Sequence, residues 1–205
     1  MASADDSPIV RGYQVRDYWD VSDVCLRTGE GGADATGVYV SDELLPDIYA
    51  RPYVLFEPAL AFVVEHAGRV GGYIVCAPDT RAFVERYRAD WLPILARKYA
   101  ALAQPGTRNQ RVIQAGLSPE RMLFPEVERY PAHLHIDLLP PLQGRGLGRL
   151  LMSRLMRALR ERGVPGLHLS LSPANTRARG FYDHIGFHEV PSSTPDAPWL
   201  GIELG

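Results

Sequence analysis

Apolar and polar residues alternate from Ile9 to Val15, the period of a half-buried strand. From Asp17 the apolar positions Tyr18, Val21, Val24 and Cys25 recur at helical spacing, which predicts a capped helix running to the turn Gly29-Glu30-Gly31-Gly32. Ser41 to Tyr49 predicts a second, short helix. Ala61 to Glu65 and Arg69 to Ala77 are β-rich runs joined by His66-Ala67-Gly68, the pattern of a hairpin. Within the second run, Gly71-Gly72 marks a bulge or a close backbone approach.

From Thr80 to Tyr99, Phe83, Tyr87, Trp91, Ile94 and Leu95 recur every three or four positions, and Pro93 divides the segment into two helices end to end. Ala103 to Gly116 is polar with Pro and Gly and reads as a loop, while Ser118-Pro119-Glu120 carries the cap and first-turn proline of a following helix. His133 to Leu139 predicts a strand, Gly146 to Arg162 an amphipathic helix and Leu167 to Leu171 a strand. Asn175 to Ile185 then predicts a helix, with closing strands at Phe187 to Val190 and Trp199 to Leu204. The pattern is that of a mixed α/β (α+β) protein, residues 1–205 forming one domain with a helical insertion at 78–130.

Composition narrows the class without changing this picture. With 46% hydrophobic residues, 24 acidic against 22 basic side chains and a net charge of −2, the chain is an ordinary globular one, lacking the broad positive footprint of a nucleic-acid partner. Its apolar runs are too short for a membrane span, and its acidic start lacks the basic region of a secretory signal. The two cysteines, Cys25 and Cys76, sit in no ligand cluster and read as small buried residues of a reducing compartment, so a cytoplasmic location is expected.

Chemistry concentrates in Leu138-Leu139-Pro140-Pro141-Leu142-Gln143-Gly144-Arg145-Gly146-Leu147-Gly148: a strand, a glycine-rich turn and a helix with no spare residues. Consecutive N–H groups at a helix N-terminus favour a phosphate, and glycines let it come close. Leu147, Leu150, Leu151, Leu155 and Leu159 form an apolar stripe behind the turn, and Arg145 and Arg149 stand at the turn itself. The spacing is neither G-x-G-x-x-G nor a Walker A sequence; it is Gln-x-x-Gly-x-Gly.

Gln143-Gly144-Arg145-Gly146-Leu147-Gly148 resembles the acyl-CoA pyrophosphate loop of the GNAT superfamily of N-acetyltransferases. Asn175-Thr176-Arg177-Ala178-Arg179-Gly180-Phe181-Tyr182-Asp183-His184-Ile185-Gly186-Phe187 resembles the helix that follows strand five in that superfamily. The run Pro78 to Phe83, then Trp91-Leu92-Pro93, Lys98-Tyr99 and Phe124-Pro125, resembles the acetyltransferase-like C-terminal domain of O-GlcNAcases, in which the pyrophosphate loop is degraded; this chain keeps it. The resemblance implies a GNAT fold with a mixed, mostly antiparallel central sheet flanked by helices. It also implies acetyl-CoA as donor and a primary amine, on a small molecule or a lysine peptide, as acceptor; a GNAT-fold module that binds acyl-CoA or a protein without turnover is the alternative.

By the same resemblance, the backbone of Leu138 and Leu139 holds the thioester carbonyl and pantetheine arm, and Gln143, Gly144, Arg145, Gly146, Leu147, Gly148 and Arg149 hold the pyrophosphate. Tyr182 matches the general acid, a phenol near pKa 10 able to protonate a thiolate near 8.5. Asn175 caps the same helix, contacts the pantetheine, or both. His133, His135 and Asp137 alternate along one strand and so share a face. Asp137 is the first candidate base by position and His135 the second by its ordinary pKa. His-x-His-x-Asp also resembles the start of a metallo-β-lactamase zinc signature, but position 138 is leucine and no Cys/His cluster follows, so no metal is expected. Trp91, Tyr99 and Tyr130 are candidates for an acceptor groove, with core packing the commoner use of such residues. Asp42, Glu43, Glu126 and Glu128 are candidate attractors of a cationic amine or ordinary surface acids.

Overall fold

The computed structural model describes residues 7–205. Its seven strands follow the order β1-β2-β3-β4-β5-β7-β6. They are β1 (Ile9–Gly12), β2 (Phe62–His66), β3 (Arg69–Ala77), β4 (Ala132–Leu138), β5 (Gly166–Ser170), β6 (His188–Glu189) and β7 (Trp199–Glu203). The chain forms two compact units, residues 7–75 with His135–Leu155, and Cys76–Leu134 with Met156–Gly205.

In the first unit β1 runs antiparallel to β2 from Ile9↔Glu65 to Gly12↔Phe62. β2 runs antiparallel to β3 through the predicted hairpin, whose two turn residues Ala67 and Gly68 both have positive φ, the geometry that matches the twist of a tight hairpin. The register passes from Val64↔Gly72 to Glu65↔Val70, so Gly71 is the extra residue of a bulge. The glycine pair also marks a close approach: a Cβ at Gly71 would lie 2.6 Å from Leu142 Cδ1, and one at Gly72 2.3 Å from Leu138 Cδ2. Both readings of Gly71-Gly72 therefore hold.

Helices α1 (Tyr18–Thr28), α2 (Leu44–Tyr49) and α3 (Arg51–Phe56) belong to the same unit, burying Val21, Val24, Cys25, Leu44, Leu45, Ile48, Tyr53 and Val54. The buried Arg51 is held by Asp47 at 2.6 Å and Ser22 at 3.1 Å, which compensates its desolvation. β1 is shorter than its alternation suggests, because Val15–Asp17 turns into a single helical turn that satisfies the Gln14 N–H with Asp17.

The second unit holds α4 (Thr80–Arg86), a π-type turn at Tyr87–Trp91, α5 (Leu92–Tyr99), α6 (Arg108–Leu117), and α8 (Thr176–His184). Pro93 sits in the first turn of α5, where its missing N–H costs nothing. The expected loop at 103–116 is in fact mostly α6: Thr107 accepts from Gln110 N, and Ile113 and Gly116 turn inward. The expected helix after Ser118 is only the short turn Pro119–Met122. Trp91, Tyr99 and Tyr130 are buried, the core use of these rings. β4 pairs in parallel with β5 at Ala132↔Leu167 and His133↔His168, while β5–β7 and β7–β6 are antiparallel.

Candidate active site

The turn after β4 is built as the glycine pattern predicts. Pro140–Leu142 makes one helical turn, Gly144 and Gly146 have φ of 73° and 77°, and α7 (Leu147–Glu161) starts at once. That left-handed backbone strains any residue with a Cβ. A Cβ at either glycine would meet open space, so the surface above the turn is clear for a ligand. The first N–H groups of α7 have no partner within the helix and, with exposed Arg145 and Arg149, suit a diphosphate. Leu147, Leu151, Leu155 and Leu159 are buried behind them, whereas Leu150, expected on that stripe, is 55% exposed.

Two anchors fix the turn to the strand. Leu139 N donates to Gly71 O at 2.9 Å, and the Gln143 amide donates to Leu138 O at 2.7 Å. The Leu139 N–H is thus committed to β3, and strand alternation turns the N–H of Leu138 the other way.

Asp137, one residue earlier, receives a hydrogen bond from the Tyr73 hydroxyl at 2.6 Å on Oδ2. Although Asp137 keeps some exposed surface, the protein around its carboxyl displaces enough water to push its pKa from 3.8 up to about 7, against the opposing hydrogen bonds of Tyr73 and Thr28. Burial raises the neighbouring Cys25 thiol and the Tyr73 phenol as well, so both are neutral at pH 7. His135 is 3.2 Å from the Tyr53 hydroxyl, its ring edge-on to Tyr49 and Tyr53.

Tyr182 and Asn175 belong to the second unit. Asn175 accepts from Ala178 N and caps α8, and Tyr182, 7% exposed, lies edge-on to Phe181 and Phe187. His133, although on the same strand face as His135 and Asp137 by period, lies in this unit, 2.7 Å from Thr80 Oγ1 and edge-on to Phe83. Among the described residues no group of three or more His, Cys, Asp and Glu could hold a metal ion. Asp42 accepts from Gly37 N, Glu43 meets Arg51, Glu126 accepts from Ser192 and Glu128 meets Arg81. The residues that sequence reasoning missed are Tyr73, Thr28 and Cys25. A lone phenol inside the apolar run of β3 was the available signal, since a buried hydroxyl needs a partner.

Comparison with known proteins gives the family. The model of the Acetyltransferase (GNAT) family matches residues 116–187, spanning β4, the glycine turn and α8. A solved structure, SsHAT, superposes with a TM-score of 0.89 at 47% identity, covering 97% of this chain and 99% of its own. The chain belongs to the GNAT acetyltransferase family. A mycothiol acetyltransferase from Beutenbergia cavernae is 49% identical over 51 residues, 25% of this chain and 17% of its own length. The protein O-GlcNAcase of Rattus norvegicus is 20% identical over 184 residues, 88% of this chain and 20% of its own length. This chain therefore spans about a fifth of the length of these curated relatives. GNAT proteins use acetyl-CoA, and neighbours of this fold have been captured with acetyl-CoA or coenzyme A. The open, positively charged glycine turn fits that donor, and the chain carries an acyltransferase domain of this family. No helix among the described residues is long and apolar enough to cross a membrane.

Proposed function

We propose that the protein transfers the acetyl group of acetyl-CoA directly to a primary amine, of a small molecule or a lysine side chain, with residues 1–205 acting as one domain that carries 78–130 as a helical insertion. The observation that supports this best is Asp137: a carboxyl with a pKa of about 7 on the strand that leads into the diphosphate turn. Acetyl-CoA supplies the activated thioester. Gly144, Arg145, Gly146, Leu147, Gly148 and Arg149 hold its diphosphate. Gln143 braces the loop against Leu138 O, the Leu138 N–H serves the thioester oxygen, and Leu139 keeps the strand end on β3. Asn175 orders the start of α8 for the pantetheine arm.

A carboxyl with a pKa near the working pH is ionised in a large fraction of molecules and binds a proton more strongly than an ordinary carboxylate, which favours Asp137 over His135, whose ring is engaged with Tyr53. Asp137 takes the proton of the incoming amine, directly or through a water, and Tyr182 returns one to the departing thiolate. Release of free coenzyme A thiol from acetyl-CoA, measured against a panel of amines and lysine peptides, tests the reading. Asp137→Asn and Tyr182→Phe should each lower kcat by on the order of a hundredfold, with the KM for acetyl-CoA within about twofold of wild type as expected for groups acting on proton transfer. Binding of acetyl-CoA with no turnover on any amine would make the protein an acyl-CoA-binding module instead.

A further inference from the structure

Tyr73 is fully buried at the centre of β3, and the strand pleat explains where its hydroxyl goes. Leu138 packs over Gly72, where a side chain would collide with it, so Asp137 and Tyr73 share the opposite face of the paired strands. The lack of a Cβ at Gly72 lets β3 come this close to β4: a Cβ there would also lie 3.1 Å from Asp137 O. The 2.6 Å hydrogen bond from Tyr73 to Asp137 Oδ2 is the product of that approach. The remaining groups around the carboxyl come from α1 and from β4 itself. Thr28 of α1 also serves Val24 O at 2.7 Å, whereas the Tyr73 hydroxyl, which also interacts with the Cys25 thiol, gives its proton to Asp137 Oδ2. Cys25 of α1 lies beside both as a neutral thiol, and Arg51, whose charge bears on Cys25, is paired with Asp47. His135, two residues back on β4, is turned to Tyr53 of α3.

We propose that Tyr73 is a positioning residue for the proton-accepting carboxyl: its hydroxyl pins Oδ2 of Asp137 and keeps a donor on the ionised form, so that the carboxyl is oriented and charged when an amine arrives. This rests on the reading of Asp137 as the base. A merely structural tyrosine would fill the same volume and leave the titration of Asp137 unmoved, which separates the two roles. A donor lost from a charged group shifts its ionisation by about one pH unit or more.

The test is carbon-13 NMR of the full chain labelled at aspartate carboxyls, with Asp137→Asn assigning the resonance. Wild type should titrate near pH 7 and Tyr73→Phe about one pH unit higher. Should Tyr73→Phe fail to fold, 3-fluorotyrosine incorporated at position 73 alone strengthens the same donor at the cost of one added fluorine, and the midpoint should move down. A midpoint unmoved by either change overturns the proposal. The readout needs no acceptor, so the two readings fail separately. Acetyl transfer with an unmoved midpoint removes Tyr73 and keeps the function. A moved midpoint with no transfer to any amine removes the base role and with it this proposal.

Discussion

Replacing Asp137 by Asn should make the protein more stable, and increasingly so as pH rises. In the fold the carboxyl ionises near pH 7, in the unfolded chain near 3.8, because burial disfavours the charge. The unfolded state therefore releases a proton that the folded state keeps, and stability falls as pH rises from the lower value through the upper one. At about 1.4 kcal/mol for each pH unit of that gap, holding Asp137 costs ~2 kcal/mol at pH 5 and ~4 kcal/mol at pH 8. An amide oxygen at this position still accepts the Tyr73 proton, so the substitution removes the charge and leaves the contact. Urea denaturation of both proteins at pH 5, 6.5 and 8 measures the difference directly. The variant's advantage should grow by ~3 kcal/mol across that range. Parallel pH dependences for the two proteins would refute the raised carboxyl and the argument built on it.

Three further outcomes follow from the same geometry. Gly72→Ala places a Cβ 2.3 Å from Leu138 Cδ2 and 3.1 Å from Asp137 O, and should cost about 1–3 kcal/mol in urea denaturation through overpacking. His168, buried against Tyr130 O and Phe124, is held down at about 4 from 6.5, so its contribution is whole above pH 6.5 and is lost as pH falls toward 4. His168→Gln should flatten that acid limb by roughly 3 kcal/mol, seen as converging denaturation midpoints for the two proteins between pH 6.5 and 4. Gly144→Ala, at a φ of 73°, should lower the thermal midpoint by the equivalent of about 1–2 kcal/mol, and an unchanged midpoint would contradict the left-handed turn.

What was legible in the sequence was local. The strand that ends at Leu138, the positive-φ glycines and α7 follow from alternation, turn chemistry and a leucine stripe, each written in neighbouring residues. Gly71-Gly72 was legible as a bulge or a close approach, since paired glycines in an apolar strand mark one or the other, and both occur here. What stayed hidden was tertiary. Tyr73 meets Asp137 across 64 positions, and Thr28 and Cys25 come from a helix whose buried face has no sequence mark of which strand it covers. Leu150 fell on the right period and still faces solvent, since a stripe wider than the contact leaves its edge exposed. α6 was obscured by its composition: Gln, Asn and Arg fill its outer face, and only Ile113 and Gly116 turn inward behind the Thr107 cap.

The central claim, that the turn after β4 receives acetyl-CoA, is tested most directly by calorimetric titration of the purified protein with acetyl-CoA beside Gly146→Glu. That variant puts a negative side chain on a left-handed backbone position whose surroundings are open to the ligand. The account predicts saturable binding by the wild type and none by the variant, with both retaining their fold by circular dichroism. Equal binding by the two proteins, or none by the folded wild type, would contradict it.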